Sequence, residues 1–251
     1  MDIQIPDAKL HGQAELFASV NKAVAPGDGM FKDTEPAHYF LVGASALAAV
    51  IEALSATRLD MQNVTRVLDY ACGFGRVLRW LRAAFPDAFL LGVDANRIAV
   101  EEASALLGVE TRHLDTSLAH PIDKPFDLIW VGSLITHLPE KETRRVLKYL
   151  QEHLTETGVI VFTTHGQLVE QRIETRAQTY NLDEEGVKQT VEDFCTGGYG
   201  FANYKNRSGY GVSVATPSRI MSIVETCGLQ PVYFKAQGWA SHQDVYGCIG
   251  K

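Results

Sequence analysis

The strongest fold signal in this chain is the stretch Val67-Leu68-Asp69-Tyr70-Ala71-Cys72-Gly73-Phe74-Gly75-Arg76. It begins as a short apolar strand and passes through small residues at positions 71, 73 and 75 into a helix. In an open α/β sheet, the turn from a strand into the next helix is where a ligand binds. Small side chains there let the ligand lie against bare backbone. The stretch therefore predicts a parallel sheet with a ligand site at its edge.

The residues that follow alternate short apolar runs with amphipathic stretches. The first helix, residues 76–85, has Arg76, Arg79 and Arg82 off its apolar face. A later helix begins at Pro139 and is followed, after Gly158, by another strand. Strands with continuous apolar runs between helices predict a parallel sheet covered on both faces. The predicted strands are residues 67–69, 89–93, 109–114, 126–131 and 159–162, and the β-rich runs 231–236 and 244–249 would pair as a hairpin.

The chain length of 251 residues corresponds to between one and two domains, at roughly 150 residues per domain. We expect a single domain with an α/β, Rossmann-like, doubly wound sheet, mostly parallel with an antiparallel C-terminal hairpin. Its expected parts are a helical N-terminal cap (1–60), a ligand-binding core (61–165), a substrate-side insertion after strand five (166–215) and the C-terminal part of the core (216–251).

Charge and hydropathy exclude several classes of partner. The chain has 23 basic and 30 acidic residues, and a net charge of -7 offers no positive field for nucleic acid. The first twelve residues lack the apolar core of a signal peptide. The most apolar run, residues 40–51, is shorter than the roughly 20 residues that span a bilayer and is closed by Glu52. We expect a soluble cytoplasmic protein with neither nucleic-acid nor membrane partners.

The cysteine and histidine spacings indicate no metal site. The four cysteines, Cys72, Cys195, Cys227 and Cys248, include no CxxC pair, which argues against zinc and against a disulfide framework. We therefore expect buried reduced thiols and no obligatory metal.

The glycine loop departs from the phosphate-binding patterns. A dinucleotide site needs GxGxxG, and counting from Gly73 puts Leu78 in the third place, where close approach of two backbones favours glycine. The GxxxxGK[ST] pattern is also absent. A ligand without a phosphate at this loop fits the sequence better.

The pattern Asp69-x-Ala71-x-Gly73-x-Gly75 resembles motif I of class I S-adenosylmethionine-dependent methyltransferases. Ala71 stands where the usual motif has glycine. The resemblance covers residues 66–165 and the ends of the chain only by architecture. It implies that the cofactor is S-adenosyl-L-methionine and that these four residues bind it.

The same resemblance implies further cofactor contacts. Asp94, at the end of the second strand, matches the acid that accepts the ribose hydroxyls. Asp115, followed by Thr116, matches the acid that accepts the adenine amino group. Either acid alone is also a common turn or N-cap residue.

Two more cofactor contacts involve the methionine part. The resemblance implies that the methionine part of the cofactor lies against the backbone at Gly132 and Ser133, after strand four. Arg76, which the pattern puts in the first turn of a helix, is disfavoured there by the helix dipole. Pairing with the methionine carboxylate would explain it, and an ordinary surface arginine stays an alternative.

Two histidines follow strands and could remove a proton from an alcohol acceptor. His137 lies just past strand four, beside the expected methyl position, and family members often carry a histidine there as a cofactor-side or structural contact. His165, at the end of strand five, also lies at the carboxyl edge of the sheet. We expect His137 to be the catalytic base, with His165 as the second candidate.

The insertion has a glycine-rich, aromatic segment at residues 197–211. Flat amphipathic side chains on a bendable segment suit a lid or stacking on a sugar or aromatic ring, and a β-turn packing its own aromatics is the alternative. The candidate substrate-binding residues are Tyr199, Phe201, Tyr204, Arg207 and Tyr210.

These observations predict a methyltransferase that uses S-adenosylmethionine and acts on a small molecule. Similarity to methyltransferases of bacterial glycan and secondary-metabolite pathways favours a hydroxyl acceptor on a sugar or secondary metabolite. A homodimer is left open. Two alternatives stay open as well: a nicotinamide-dependent oxidoreductase, and a cofactor-binding scaffold without catalysis.

Overall fold

The structure is a computed structural model that describes residues 3–114, 117–118, 122 and 125–251. Its centre is a seven-stranded sheet in the order β3-β2-β1-β4-β5-β9-β8. The strands are β1 (Arg66–Tyr70), β2 (Phe89–Asp94), β3 (Glu110–His113), β4 (Phe126–Val131), β5 (Leu154–Thr164), β6 (Tyr199–Tyr204), β7 (Arg207–Ala215), β8 (Leu229–Trp239) and β9 (Gln243–Gly250).

The pairing of these strands confirms the predicted fold class. Strands β1 to β5 pair in parallel, whereas β9 runs antiparallel to both β5 and β8. Strand β1 lies between β2 and β4, so the chain order reverses at β1. Open α/β sheets bind their ligands at such a switch point, outside the carboxyl ends of the strands.

The helices cover both faces of this sheet. Alternate residues of a strand point to opposite faces, and the alternation separates two hydrophobic clusters. On β4, Leu128 and Trp130 belong to one cluster, and Ile129 and Val131 to the other. The helices are α1 (Ala14–Phe17), α2 (Pro36–Ser55), α3 (Leu78–Ala84), α4 (Arg97–Leu107), α5 (Glu140–Gln151), α6 (Gln167–Glu174), α7 (Glu184–Gly197) and α8 (Pro217–Thr226).

The N-terminal region is less helical than the sequence predicts. Before α2 the described residues contain only the 3₁₀ turn Asp7–Lys9 and the single-turn helix α1. Among the described residues, α2 has the length and apolar composition of a membrane span. In its most apolar 18-residue part, 67% is buried inside the fold. It packs against α3 and β8 as part of the larger hydrophobic cluster.

Arg79 joins the N-terminal region to the core, which corrects its predicted place off the apolar face. Its side chain is only 1% exposed. The guanidinium donates to the carbonyl oxygens of Asn21 (2.9 Å), Ala23 (2.6 Å) and Gly75 (3.1 Å), and to the Tyr39 hydroxyl (3.3 Å). The buried guanidinium needs such partners because it has lost those of water. Arg79 therefore holds residues 21–23 against the glycine loop.

The insertion after β5 forms a small structure of its own. Strands β6 and β7 pair as an antiparallel hairpin that packs on α6 and α7 around a third hydrophobic cluster. The close packing of β6 against α7 requires glycine at position 200, because a Cβ there would lie 1.9 Å from the Thr190 carbonyl oxygen of α7. Gly200 thus allows the strand to pack on the helix, whereas the sequence analysis interprets the glycines of this segment as making it bendable. The single-domain assignment stays a prediction.

Replacing Arg79 with methionine should destabilise the fold, because the hydrogen bonds that tie residues 21–23 and Tyr39 to the buried guanidinium are then lost. We expect the free energy of unfolding in urea to fall by about 3 kcal/mol. Arg97→Met on the exposed face of α4 is the matched control, expected within about 0.5 kcal/mol of the wild type. Equal stability of the two variants would contradict this role.

Candidate active site

The glycine loop leaves β1 in a left-handed conformation and is tied to β2. Ala71, Gly73 and Gly75 have φ of 68°, 53° and 83°. Ala71 bears a Cβ, and holding such a residue there costs about 1–3 kcal/mol. A Cβ at Gly75 would lie 2.7 Å from Leu107 Cδ1, whereas one at Gly73 would meet nothing within 4 Å. Gly73 therefore leaves open space in front of the loop.

That space belongs to a cavity of about 1160 Å³ at the carboxyl ends of β1, β2 and β4. Its volume exceeds the roughly 300–1,000 Å³ of ordinary small-molecule sites, so it can hold two ligands side by side. Of the sequence-predicted residues, Asp69, Ala71, Gly73, Arg76, Asp94, Gly132, Ser133, His137, Arg207 and Tyr210 line it. Gly75 shapes the loop from behind. Asp115 and Thr116 lie outside the described residues.

The carboxylate of Asp94 is oriented by two backbone groups. Its Oδ2 accepts from the Gly73 N–H at 2.8 Å, and its Oδ1 accepts from the Asn96 N–H at 2.8 Å. Each carboxylate oxygen has a second lone pair, and the side chain is only partly buried. Asp94 can therefore accept two hydroxyl groups from a ligand in the cavity.

Asp69 is an orphaned carboxyl group at the bottom of the cavity. The residue is 1% exposed, and its buried Oδ2 has no hydrogen-bond partner. Burial, together with the nearby Asp94, raises the pKa of Asp69 to about 8. A ligand cation placed against it would supply the missing partner and favour the ionised form.

Arg76 lies two residues before α3, not in its first turn as the sequence pattern predicts. Its guanidinium lies 6.0 Å from the ring centre of Tyr39 and 5.7 Å from that of Trp239. Burial lowers the pKa of Arg76. Among the described residues no carboxylate forms a salt bridge with it. The group is a cation between aromatic rings and is suited to bind a ligand anion.

The turn after β4 is held by two neighbouring strands. Ser133 has φ of 58°, and its N–H donates to Thr163 Oγ1 at 2.9 Å. The Thr163 hydroxyl donates to Gln243 Oε1 at 2.7 Å, and Gln243 Nε2 donates back to Ser133 Oγ at 3.1 Å. The strained turn is therefore pinned from β5 and β9. Because the Ser133 N–H is already bonded to Thr163, it is not a donor for a ligand.

His137 stands on the cavity wall in the 3₁₀ turn after β4, with its tautomer set by a carbonyl group. Its Nδ1 lies 2.8 Å from the Gly211 carbonyl oxygen, which can only accept. Nδ1 therefore carries the proton, and Nε2 keeps a lone pair. Burial lowers the pKa of His137, so the ring is neutral near pH 7.

His165 does not line the cavity, which weakens its candidacy as a catalytic residue. It is 4% exposed, its Nδ1 contacts the Ser213 carbonyl oxygen at 3.2 Å, and its ring packs against Tyr180 and His242. Burial lowers its pKa to about 3. It is a buried neutral histidine beneath the β6–β7 hairpin.

The aromatic residues of the hairpin separate into two groups. Tyr199 is buried, and its hydroxyl bonds with the Leu138 carbonyl and Thr143. Tyr199 and Phe201 both pack in the hydrophobic cluster that contains Ile129 and Val131. These two do not line the cavity, and neither does Tyr204, whose hydroxyl lies 3.2 Å from His137 Nδ1. Arg207 and Tyr210 reach the cavity from the tip of the hairpin, and Tyr210 stacks on His137 with ring centres 5.0 Å apart.

Sequence reasoning missed the cavity wall contributed by distant segments. Asp28 accepts from the Tyr39 hydroxyl at 2.6 Å and from the Met30 N–H at 2.9 Å, and Trp239 arrives from the end of β8. The flanking glycines at positions 27 and 29 mark a turn, yet nothing local tells where that turn docks. Among the described residues no group of histidine, cysteine and carboxylate side chains could hold a metal ion.

The raised pKa of Asp69 makes stability depend on pH. Between pH 5 and 8 Asp69 is ionised in the unfolded chain and protonated in the folded one, so the folded chain binds the extra proton. The free energy of unfolding therefore falls as pH rises through this window, and the fall should be smaller in Asp69→Asn. Urea unfolding at pH 5, 6, 7 and 8 measures both slopes. Asp87→Asn, at an exposed position, should keep the wild-type slope; an unchanged slope in Asp69→Asn would refute the assignment.

Comparison with known proteins finds a methyltransferase domain in this chain. Residues 67–158 match a family model described as a methyltransferase domain. Trans-aconitate 2-methyltransferase from Deinococcus radiodurans is 28% identical over 123 residues, which are 49% of this chain and 45% of that protein. The match thus spans less than half of that relative.

Solved structures share the fold at low sequence identity. An S-adenosylmethionine-dependent methyltransferase from Clostridium acetobutylicum has a TM-score of 0.52 at 15% identity, covering 81% of this chain and 97% of that one. The complex of DhpI with SAH has a TM-score of 0.52 at 16% identity, covering 97% and 94%. Motif, sheet order and family match agree: residues 67–158 match a methyltransferase domain, and the chain has the fold of the class I S-adenosylmethionine-dependent methyltransferases.

Proposed function

We propose that this protein transfers a methyl group from S-adenosylmethionine to a hydroxyl group of a small molecule, on a sugar or a secondary metabolite. The observation that carries the proposal is His137 Nε2, an unprotonated base on the wall of the same cavity that the glycine loop and Asp94 line. The name of the Deinococcus relative states a small-molecule acceptor, which supports a small molecule as the substrate here and leaves the acceptor group to be tested.

The cavity residues fit the cofactor group by group. The orphaned Asp69 Oδ2 suits the ammonium group, Arg76 suits the methionine carboxylate, and the free lone pairs of Asp94 suit the ribose hydroxyls. The missing side chain at Gly73 leaves room for a ligand against the backbone. Asp115 and Thr116 remain the proposed adenine contacts on the resemblance alone. When bound, the sulfonium supplies an electrophilic methyl group.

The chain's own residues supply alignment and proton removal. Methyl transfer is an in-line displacement, so the acceptor oxygen has to lie on the axis of the breaking bond, and alignment lowers the barrier by several kcal/mol. His137 Nε2 accepts the hydroxyl proton, and the Gly211 carbonyl stabilises the resulting imidazolium through Nδ1–H. The hairpin tip and residues 28–30 border the cavity on two sides and limit the access of water.

Cofactor choice is tested by calorimetry with S-adenosylmethionine and NAD. We expect the wild type to bind S-adenosylmethionine only. Asp94→Ala should weaken this binding about 10- to 100-fold, because two hydroxyl contacts are lost. The exposed Asp87→Ala is the matched control and should bind like the wild type, and thermal unfolding shows whether Asp94→Ala still folds. NAD binding without S-adenosylmethionine binding would establish the oxidoreductase alternative.

Removal of the base should slow chemistry and spare binding. We expect His137→Ala to lower kcat at least about 10²-fold with the affinity for S-adenosylmethionine near normal. In the wild type, kcat should rise with pH through a pKa below 6.5, since only the neutral ring accepts a proton. This rise of kcat with pH should be absent in His137→Ala. An unchanged kcat would mean an acceptor that needs no base, such as a carboxylate.

A further inference from the structure

The three arginines of the cavity differ in what they contact. Arg145 forms a salt bridge with Glu142 at 3.1 Å. Among the described residues, neither Arg76 nor Arg207 has a carboxylate within salt-bridge distance. Two guanidinium groups therefore face one cavity without an acidic partner from the protein.

The acids of the cavity are already bound elsewhere. Glu142 is paired with Arg145, Asp28 accepts from Tyr39 and from a backbone N–H, and Asp94 accepts from two backbone N–H groups. Asp69 is protonated at neutral pH because it is buried. None of these acids forms a salt bridge with Arg76 or Arg207, so both guanidinium groups can take an anion from a ligand.

One arginine is left over when the cofactor is bound. This step rests on the proposed function: S-adenosylmethionine has a single carboxylate, and Arg76 takes it from beside the glycine loop. Arg207 lies at the other wall, at the start of β7, together with the hairpin residues 208–210. Arg207 is exposed and solvated in the free protein, so its guanidinium is available to the second ligand, the methyl acceptor.

The position of Arg207 relative to the base gives the acceptor a length. The guanidinium lies 5.9 Å from the ring centre of Tyr210, and this ring stacks on His137 with centres 5.0 Å apart and planes 25° apart. The turn that carries Arg207 is shaped by the Gly209 N–H, which donates to Asn203 Oδ1 at 2.7 Å. The cation is therefore one aromatic ring beyond the base, a span that one small molecule bridges.

We propose that the methyl acceptor carries an anionic group, a carboxylate or a phosphate, separated from the methylated hydroxyl by about the span of one aromatic ring, and that Arg207 binds this group. A guanidinium offers parallel N–H donors that match either anion with two hydrogen bonds. Binding the anion at Arg207 orients the hydroxyl toward His137 Nε2. Arg207 is thus the residue that selects charged over neutral acceptors.

Pairs of acceptors that differ only in charge test the selection. Methyl transfer from labelled S-adenosylmethionine is measured with glucose 6-phosphate against glucose, and with 4-hydroxybenzoate against its methyl ester. We expect the charged member of at least one pair to be preferred tenfold or more in kcat/KM. Arg207→Gln should remove the preference by raising KM, and Arg207→Lys should keep part of it. Lys205→Gln is the control: it removes an exposed cation of the same hairpin that does not line the cavity, and it should keep the preference.

A binding measurement decides the same point without catalysis. Inorganic phosphate and succinate are titrated by calorimetry into the protein loaded with S-adenosylhomocysteine, and their relative affinities distinguish a phosphate from a carboxylate acceptor. We expect Arg207→Gln to bind the preferred anion at least tenfold more weakly, and Lys205→Gln to bind it like the wild type. The affinity for S-adenosylhomocysteine should be the same in all three proteins.

Three results would overturn the proposal. The first is equal use of neutral and charged acceptors, and the second is anion binding that Arg207→Gln leaves unchanged. The third is a loss of S-adenosylhomocysteine affinity in Arg207→Gln as large as its loss of anion affinity, which would assign the guanidinium to the cofactor. Failure of S-adenosylhomocysteine to bind the wild type would instead refute the proposed function. Phosphate and succinate titrations of the unloaded protein then decide the role of Arg207, with the same tenfold loss expected and no loss refuting it.

Discussion

Three hydrogen bonds hold the glycine loop against the end of β2, and the cavity depends on them. The N–H groups of Ala71 and Cys72 both donate to the Val93 carbonyl oxygen, at 2.8 and 3.0 Å, and the Gly73 N–H donates to Asp94. They keep the loop in its left-handed conformation although Ala71 bears a Cβ. They also turn the Asp94 carboxylate toward the open space. Loop shape and acid orientation are thus one constraint, set where two parallel strands end side by side.

The same parallel register brings two acids together and gives them different states. Asp69 and Asp94 end neighbouring strands, one buried without a partner and the other held by backbone N–H groups. Burial and the neighbouring Asp94 raise the pKa of Asp69, so the cavity carries less negative charge at neutral pH than its composition indicates. A ligand cation reverses this preference, because it stabilises the carboxylate more than the acid. Binding of a cationic ligand group against Asp69 would therefore be linked to loss of its proton.

Local signals predicted the β1–loop–β2 unit and most strands, because each depends on neighbours in sequence. Burial of Arg79, by contrast, depends on carbonyl groups more than fifty residues away in the chain, and helical periodicity placed it in solvent. The docking of Asp28 and Trp239 on the cavity follows from tertiary packing for the same reason. In the hairpin, composition predicted the aromatic surface, whereas the side of the strand decided that Tyr199 is buried and Tyr210 borders the cavity.

The carbonyl group that sets the tautomer of His137 belongs to Gly211, the residue next to Tyr210 on β7. The strand that borders the cavity thus also leaves His137 Nε2 without a proton, as the proposed base requires. If β7 moved away from the sheet, Nδ1 would lose its acceptor and the imidazole proton could settle on either nitrogen. Nε2 would then be unprotonated in only part of the molecules. In the proposed mechanism, the position of the hairpin would therefore affect both the enclosure of the cavity and the fraction of His137 that can accept a proton.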